Sequence, residues 1–330
     1  MKCISKKTKG NRIAVCIAII SILLTGCSGE NYDFAYDPEL EVTSFNVLTT
    51  QEVNTADPFA YDLCVVDTDV ISDKDLDMSQ ITSAVLFDVN KKDVVFSKNA
   101  HEQLHPASLT KVMTALVALQ NGSLDQVLTA TDSVLIDESG AQLLGLKNGD
   151  SMTLDQALHA LLMYSANDVA VLIAENIGGS VDNFVAMMNE EAHRIGATNT
   201  HFLNPHGLTE DGHYTTAYDL YLIFNEAIKY ETFNEIIHMT NYQMTYYDNE
   251  GNAKEKTLET TNLFLKGNYE VPGNINVIGG KTGTTNAAKS CLILLSRDAS
   301  GQPYISVILK AETRDILYNG MAGLLDEINK

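Results

Sequence analysis

Two stretches near residue 90 alternate hydrophobic and polar side chains with the two-residue period of a β-strand. Residues 83–89 and 93–98 are rich in β-branched and aromatic side chains, and the polar turn Asn90-Lys91-Lys92 separates them. This pattern is typical of a β-hairpin. Strand-like runs return near 275–284, 290–296 and 304–310, and a final helix is predicted near 313–328.

Between these strands the hydrophobic period becomes that of a helix. Residues 108–120 form one apolar face from Leu109, Val112, Met113, Leu116 and Leu119. Thr153 with Gln156 has the spacing of a capping box and predicts a helix to about residue 163, and Ser180 begins another that reaches about residue 195. A further helix is predicted at about 217–230, within a polar region from 197 to 265.

Strands at both ends of the folded region, with helices between them, form an α+β pattern. We expect one antiparallel sheet built from both chain ends, with a helical subdomain inserted. A sizeable core is expected, because 45% of the 330 residues are hydrophobic. The net charge of −21, from 22 basic and 43 acidic side chains, repels phosphate backbones and argues against a nucleic-acid partner.

The first residues have the pattern of an export signal. Basic residues precede the apolar run 13–24, which is too short to span a bilayer core of roughly 30 Å as a helix. The run ends in Leu24-Thr25-Gly26-Cys27, which resembles a bacterial lipobox. We predict a lipoprotein signal peptide over 1–26, a lipid such as palmitate on Cys27, and anchoring at the outer face of the cytoplasmic membrane. A plain secretory signal with an incidental cysteine is the alternative.

Residues 27–78 form an acidic stretch. Thirteen acidic side chains and one lysine lie between residues 28 and 78, and no helical or strand period runs through most of it. Such a composition predicts a solvated tether, followed by a folded catalytic domain over 79–330. A segment that recruits a cationic partner is the alternative. Cys64 and Cys291 are expected to be separate buried thiols, because one pair is no disulfide framework.

The stretch His105-Pro106-Ala107-Ser108-Leu109-Thr110-Lys111 places a serine and a lysine three residues apart at a predicted helix start. A serine hydroxyl becomes a good nucleophile when a base takes its proton, and lysine is such a base if burial or a second cation lowers its pKa. The helix N-terminus supplies N–H groups for an oxyanion. This spacing arises about once by chance in such a chain, so alone it favours a helix cap and a solvated lysine over a catalytic pair.

Two further motifs follow in order. Tyr164-Ser165-Ala166-Asn167 comes directly after an apolar helix, where a short polar loop is expected to project Ser165 and Asn167 into a cleft. Gly279-Gly280-Lys281-Thr282-Gly283-Thr284 lies in a strand-like run whose glycines allow a ligand to approach the backbone. The three motifs together are far more specific than any one of them.

From about Ser83 to Ile328, the sequence resembles the low-molecular-mass penicillin-binding proteins, the serine D-Ala-D-Ala carboxypeptidases of peptidase family S11. Besides the motifs, the resemblance rests on the stretches 83–100, 105–119, 204–220 and 279–295. It implies a β-lactamase/transpeptidase-like fold and removal of the terminal D-alanine from peptidoglycan stem peptides. It also implies inhibition by β-lactams and no cofactor or metal.

The resemblance implies a role for each motif residue. Ser108 attacks the carbonyl between the two D-alanines, and Lys111 is its base. Ser165 relays a proton to the departing amine, and Asn167 holds the substrate and Lys111. Lys281 is a second cation that lowers the pKa of Lys111 and orders Ser165.

Further substrate contacts are implied around the third motif. The backbone N–H groups of Ser108 and Thr284 form the oxyanion hole. Thr282 binds the terminal carboxylate, and Gly283 belongs to the same substrate-binding strand. Arg314 matches a family arginine near that carboxylate, and an ordinary surface position is the alternative.

The sequence departs from related enzymes in several places. No Glu-x-x-Leu-Asn stretch follows Asn167 to supply the deacylating glutamate of class A β-lactamases, so we expect slow β-lactam hydrolysis. Lys289 replaces a usual glycine and is expected to alter the cleft edge. The chain ends at Lys330 without the second domain and amphipathic anchor of many relatives, and a lipid on Cys27 is expected to replace that anchor.

Two alternatives to a carboxypeptidase stay open. A serine β-lactamase needs a fast route for water into the acyl-enzyme. A non-catalytic wall-associated lipoprotein predicts loss of motif residues, and none is missing. His206 and His213 lack the ligand spacing of a zinc site, and we interpret their loop as a structural flank of the cleft.

Overall fold

A computed structural model describes residues 60–71 and 76–329. Within them, two antiparallel sheets are formed. The strands are β1 (Ile81–Asp88), β2 (Asp93–Lys98), β3 (Val127–Thr129), β4 (Ser151–Thr153), β5 (Asn241–Tyr247), β6 (Ala253–Glu259), β7 (Asn276–Thr285), β8 (Lys289–Arg297) and β9 (Pro303–Ala311). The larger sheet has the order β2-β1-β9-β8-β7, and the smaller one β3-β4-β5-β6. The predicted sheet from both chain ends is confirmed, because β1 pairs with both β2 and β9.

Helices occupy the middle of the chain and its C-terminal part. They are α1 (Thr110–Asn121), α2 (Leu154–His159), α3 (Asn167–Gly178), α4 (Val181–Arg194), α5 (Ala217–Ala227), α6 (Glu231–His238) and α7 (Arg314–Asp326). A 3₁₀ turn, Ala107–Leu109, leads into α1, and a π-helical turn, Ala160–Tyr164, continues α2. The predicted capping box of α2 is confirmed, with reciprocal bonds between Thr153 and Gln156.

The larger sheet is buried on both faces. On β8, Leu292 and Leu294 pack in one cluster with residues of α7, whereas Ile293 and Leu295 pack in the other cluster with the inserted helices. Alternate side chains of a strand point to opposite faces, so a strand covered on both sides is hydrophobic at nearly every position. This explains the continuous apolar runs near the C-terminus.

Helix α1 lies at the centre of the inserted helical region. It contacts α3, α4 and α5, and nine of its twelve residues are buried. Such a helix is hydrophobic on more than one face, as central helices are. Its first turn meets the larger sheet beside β7, because the preceding 3₁₀ turn packs on that strand. The nucleophile motif is thereby placed at the junction of helices and sheet.

The folded domain begins earlier than the predicted boundary at residue 79. Residues 60–71 lie against it, with Cys64 and Val66 buried. The Cys64 N–H donates to Tyr221 Oη at 2.9 Å, and Val70 forms a β-bridge with Ser97. The segment is short and irregular, and distant side chains hold it, so its own sequence carries no periodic signal. The signal peptide, Cys27 and residues 27–59 of the predicted tether lie outside the described residues.

Some elements escaped the sequence patterns. Helix α6 and the β5–β6 hairpin lie in the polar region 197–265, where only α5 was predicted. Helix α3 begins at Asn167, so the expected polar loop is reduced to two residues. No single helix within 60–71 and 76–329 is long and apolar enough to cross a bilayer, although α3 and α4, bent by 86°, reach that length and composition together.

Candidate active site

Ser108 lies in a strained turn at the start of α1. Pro106 precedes the turn, and Ala107 adopts the left-handed conformation, with φ of +47°. This conformation is uncommon for a residue with a Cβ, and such strain persists only where the surroundings hold it. Ser108 lines a cleft of about 1060 Å³ between the helical region and the edge of the larger sheet.

Lys111 follows Ser108 by one turn and is fully buried. Its Nζ lies 2.9 Å from Ser108 Oγ, 2.6 Å from Asn167 Oδ1 and 2.7 Å from the His206 carbonyl oxygen. A neutral amine has two N–H donors and one lone pair. The amide and carbonyl oxygens accept two hydrogen bonds from Nζ, and its third position faces Ser108 Oγ, which accepts from a protonated lysine and donates to the lone pair of a neutral one. The contacts therefore fit a neutral lysine that acts as a base.

The surroundings of Lys111 favour that neutral form. Burial lowers the pKa of Lys111 well below its usual value, and the positive charge of Lys281 lowers it further. The carboxylate of Asp168 acts in the opposite direction. Asp168 is also buried and accepts hydrogen bonds from the backbone N–H groups of Leu144, Gly145 and Leu146. Burial and the second cation therefore outweigh the carboxylate at Lys111.

Ser165 and Lys281 form the second hydrogen-bonded pair of the site. Ser165 ends the π-helical turn in the left-handed conformation, with φ of +65°. The buried Lys281 Nζ donates to Ser165 Oγ at 2.9 Å and to the Thr282 carbonyl oxygen at 2.8 Å. Burial lowers the pKa of Lys281 to about 7. The pair therefore offers a hydroxyl and a titrating amine beside Lys111.

Strand β7 brings the third motif next to Ser108. It is an edge strand of the larger sheet, and Thr282, Gly283 and Thr284 line the cleft. A Cβ on Gly283 would lie 3.0 Å from Ser108 N and 3.1 Å from the Pro106 carbonyl oxygen. Glycine thus allows the strand to approach the turn that carries Ser108.

The structure also places two sequence candidates that lie outside the three motifs. Arg314 lies at the start of α7 and lines the same cleft as Thr282. Lys289 does not line the cleft, whose nearby edge is formed by Asn286 and Ala287. The Lys289 Nζ instead lies 3.8 Å from Glu312 Oε2. Lys289 has φ of +56°, a conformation that favours glycine.

His206 and His213 belong to the loop that flanks the cleft. The His206 backbone carbonyl accepts a bond from Lys111, and burial lowers the pKa of its ring to about 3. Burial also lowers the pKa of His213 to about 4. No group of three or more His, Cys, Asp or Glu side chains is arranged to hold a metal in the part of the chain that the structure describes.

Sequence reasoning missed Thr261. Its Oγ1 accepts a 2.6 Å hydrogen bond from Thr282 Oγ1, and it lines the cleft. Thr261 lies in a loop between β6 and β7, twenty-one residues before Thr282. No local pattern marks it, because its position depends on how this loop returns to the sheet edge.

Comparisons with known proteins agree with this geometry. Residues 70–313 match the family profile described as D-alanyl-D-alanine carboxypeptidase, peptidase family S11. The D-alanyl-D-alanine carboxypeptidase DacF of Bacillus subtilis is 37% identical over 238 residues, covering 70% of this chain and 57% of DacF. DacC of Escherichia coli is 30% identical over 251 residues, covering 73% of this chain and 59% of DacC. The chain thus spans little more than half the length of these relatives.

A solved structure gives the same result for the fold. The DD-transpeptidase of a Streptomyces strain superposes with a TM-score of 0.69 at 25% identity, covering 75% of this chain and 96% of that one. The fold is therefore the α+β transpeptidase-like fold. With three ordered motifs around one cleft and a family match over most of its length, the chain belongs to peptidase family S11, the D-alanyl-D-alanine carboxypeptidases.

Proposed function

We propose that the protein is a serine-type D-Ala-D-Ala carboxypeptidase that removes the terminal D-alanine of peptidoglycan stem peptides through an acyl-enzyme on Ser108. The observation that carries the proposal is the 2.9 Å contact between Ser108 Oγ and the buried Lys111 Nζ. A neutral lysine at this distance is a general base for a serine nucleophile. Family membership supports the substrate class.

Acylation begins when Ser108 Oγ attacks the carbonyl carbon between the two D-alanines and its proton passes to Lys111. The negative charge on the carbonyl oxygen is stabilised by the backbone N–H groups of Ser108 and Thr284. The C–N bond then breaks, and the D-alanine amine leaves with a proton that Lys111 supplies through Ser165. Lys281, bonded to Ser165 at 2.9 Å, holds that hydroxyl in place.

Deacylation reuses the same groups. Lys111, again neutral, takes a proton from a water molecule, whose oxygen attacks the acyl carbon. The ester bond to Ser108 Oγ breaks, and the serine regains a proton from Lys111. Thr282 and Arg314, which line one cleft, supply a hydroxyl and a guanidinium for the terminal carboxylate of the substrate.

Release of D-alanine from a pentapeptide tests this proposal. We expect the wild-type protein to release D-alanine and Ser108→Ala to release none above background. Ser139→Ala is a matched control, because Ser139 lines the same cleft and is exposed. Equal release by wild type and Ser108→Ala would refute the nucleophile, and no release by wild type would favour the non-catalytic lipoprotein.

Penicillin binding separates the carboxypeptidase from a β-lactamase. Within residues 60–71 and 76–329, the hydrogen-bond partners of Ser108 and Lys111 include no carboxylate that could activate a deacylating water. We therefore expect a fluorescent penicillin to acylate Ser108 and the adduct to persist for minutes or longer. Turnover within seconds would support the β-lactamase instead.

We further propose that the protein is exported and anchored by a lipid on Cys27. The proposal rests on the basic start, the short apolar run and the lipobox-like end of residues 1–27. The full chain, expressed in a bacterium, is expected in the membrane fraction with an acylated N-terminal Cys27. Cys27→Ala should abolish the acylation, and Cys3→Ala should not. A mature N-terminus elsewhere, without lipid, would indicate a plain secretory signal.

A further inference from the structure

The carbonyl of Ala107 and the N–H of Ser108 belong to one peptide unit. A trans peptide is planar, and its C=O and N–H point in opposite directions. Whatever holds the Ala107 carbonyl therefore also sets the direction of the Ser108 N–H. This matters here because Ala107 is in the strained left-handed conformation, which the local chain does not favour.

Thr110 holds that carbonyl with two hydrogen bonds. Its backbone N–H donates to Ala107 O, and its Oγ1 donates to the same oxygen at 2.9 Å. Thr110 is fully buried. Its hydroxyl has one proton, and Ala107 O takes it. Any further partner of Thr110 Oγ1 must therefore be a donor.

His213 is that donor. Its Nε2 lies 3.0 Å from Thr110 Oγ1, and its Nδ1 accepts the Leu203 N–H at 3.2 Å. Both contacts require the neutral ring with its proton on Nε2. Burial, which lowers the pKa of His213 to about 4, keeps the ring neutral at ordinary pH. A directed chain of hydrogen bonds thus runs from Leu203 through His213 and Thr110 to Ala107.

The loop that carries His213 is fixed beside the nucleophile turn. Leu104 and Thr215 exchange backbone hydrogen bonds of 2.8 and 2.9 Å, just before Pro106 and just after His213. Gly207 packs against the other side of the carbonyl, since a Cβ there would lie 1.9 Å from Ala107 O. The carbonyl therefore has little freedom to rotate.

We propose that His213 and Thr110 are positioning residues that aim the Ser108 N–H into the oxyanion hole. This inference rests on the proposed function, because the oxyanion forms only if Ser108 is acylated. Neither side chain lines the cleft. Their effect is on an N–H that stabilises the tetrahedral intermediates of both acylation and deacylation.

Thr110→Val tests the proposal, because it keeps the shape and removes the hydroxyl. We expect the rate of acylation by a penicillin and kcat for the pentapeptide to fall by roughly 10- to 100-fold. This loss is smaller than the loss caused by removing a whole oxyanion-hole donor, because the Ser108 N–H is still present. KM should change little. Thr110→Ser should restore most of the activity. The acid limb of the pH–rate profile should stay in place, because the contacts of Lys111 are intact.

Thr114→Val is the matched control. Thr114 is buried on the same helix, one turn after Thr110. Its Oγ1 donates to the Pro205 carbonyl oxygen at 2.6 Å. Removing the Thr114 hydroxyl therefore also removes a buried hydrogen bond to the 204–207 loop. Near wild-type kcat in Thr114→Val supports a specific role for Thr110. An equal fall in both variants would overturn it and indicate general loosening of the loop.

A thiono substrate reports on the oxyanion hole itself. The measured quantity is the ratio of kcat/KM for an ester substrate to kcat/KM for its analogue with sulfur in place of the carbonyl oxygen. This ratio should be large for wild type and smaller for Thr110→Val and His213→Phe. An unchanged ratio in both variants would overturn the proposal.

If wild type neither releases D-alanine nor reacts with penicillin, the proposed function fails. If wild type is active and Thr110→Val matches it, only the positioning role fails.

Discussion

At the scale of single residues, two buried lysines define the chemistry of the site. Lys111 and Lys281 are each fully buried, and burial lowers the pKa of both. Burying a charged amine is costly, so burial favours the neutral form, which a general base requires. In the proposed mechanism, these two lysines would activate Ser108 without a histidine partner.

Replacing Lys281 should change the pH dependence of acylation. In wild type the rate should rise with pH as Lys111 loses its proton, since only the neutral amine is a base. Lys281→Met removes a positive charge that disfavours protonated Lys111, so the pKa of Lys111 should rise and the acid limb should move to higher pH. The rate should also fall, because Ser165 loses its 2.9 Å partner.

Measuring the rate of penicillin acylation from about pH 5 to about pH 10 would locate the acid limb in each protein. Repulsion between the two lysine charges is the reason for the expected shift. Lys289→Met is a suitable control, because Lys289 lies on the same hairpin but not in the cleft. An acid limb that stays in place in Lys281→Met would mean that burial alone sets the pKa of Lys111.

At the scale of elements, the site depends on the fit between β7 and the turn before α1. Gly283 allows the strand to lie against Ser108, with a hypothetical Cβ only 3.0 Å from Ser108 N. The neighbouring backbone cannot yield easily, because Pro106 and the left-handed Ala107 already constrain it.

Gly283→Ala should therefore displace the nucleophile relative to β7. We expect acylation to fall on the order of 100-fold, as for misplacement of a reacting group by about 1 Å, with a small change in melting temperature. Gly273→Ala is the control, because no atom lies within 4 Å of its hypothetical Cβ. Wild-type acylation by Gly283→Ala would show that the turn and strand adjust freely.

At the scale of the whole molecule, the catalytic domain includes a segment that the composition assigns to a tether. Residues 60–71 bury Cys64 and Val66 and hydrogen-bond to Tyr218 and Tyr221. The sequence before residue 79 is acidic, but these few apolar residues are enough to attach it. Residues 60–71 are therefore part of the folded domain.

A shortened chain tests that attachment. A protein that begins at residue 79 should be about 3–6 kcal/mol less stable than one that begins at residue 57, because the buried side chains of Cys64, Val66 and Met78 are lost. Chemical denaturation of both proteins measures the difference. Equal free energies of unfolding would show that the segment adds nothing to the domain.

Much of this protein followed from its sequence alone. The hairpin β1–β2, helix α1 and the capped starts of α2 and α4 were predicted, because each depends on local periodicity or capping. The shared sheet was predicted from the order of elements, with strands at both ends of the folded region. The order of three motifs predicted the residues Ser108, Lys111, Ser165, Asn167 and Lys281, which the structure brings together.

Other features were decided only by the tertiary structure. The β5–β6 hairpin, the attachment of residues 60–71, the Thr282–Thr261 bond and the chain from His213 to Ala107 join residues far apart in sequence. Their own segments carry no period or cap, so local propensity cannot reveal them. The pKa of Lys111 belongs to the same class, because burial and the approach of Lys281 exist only in the folded chain.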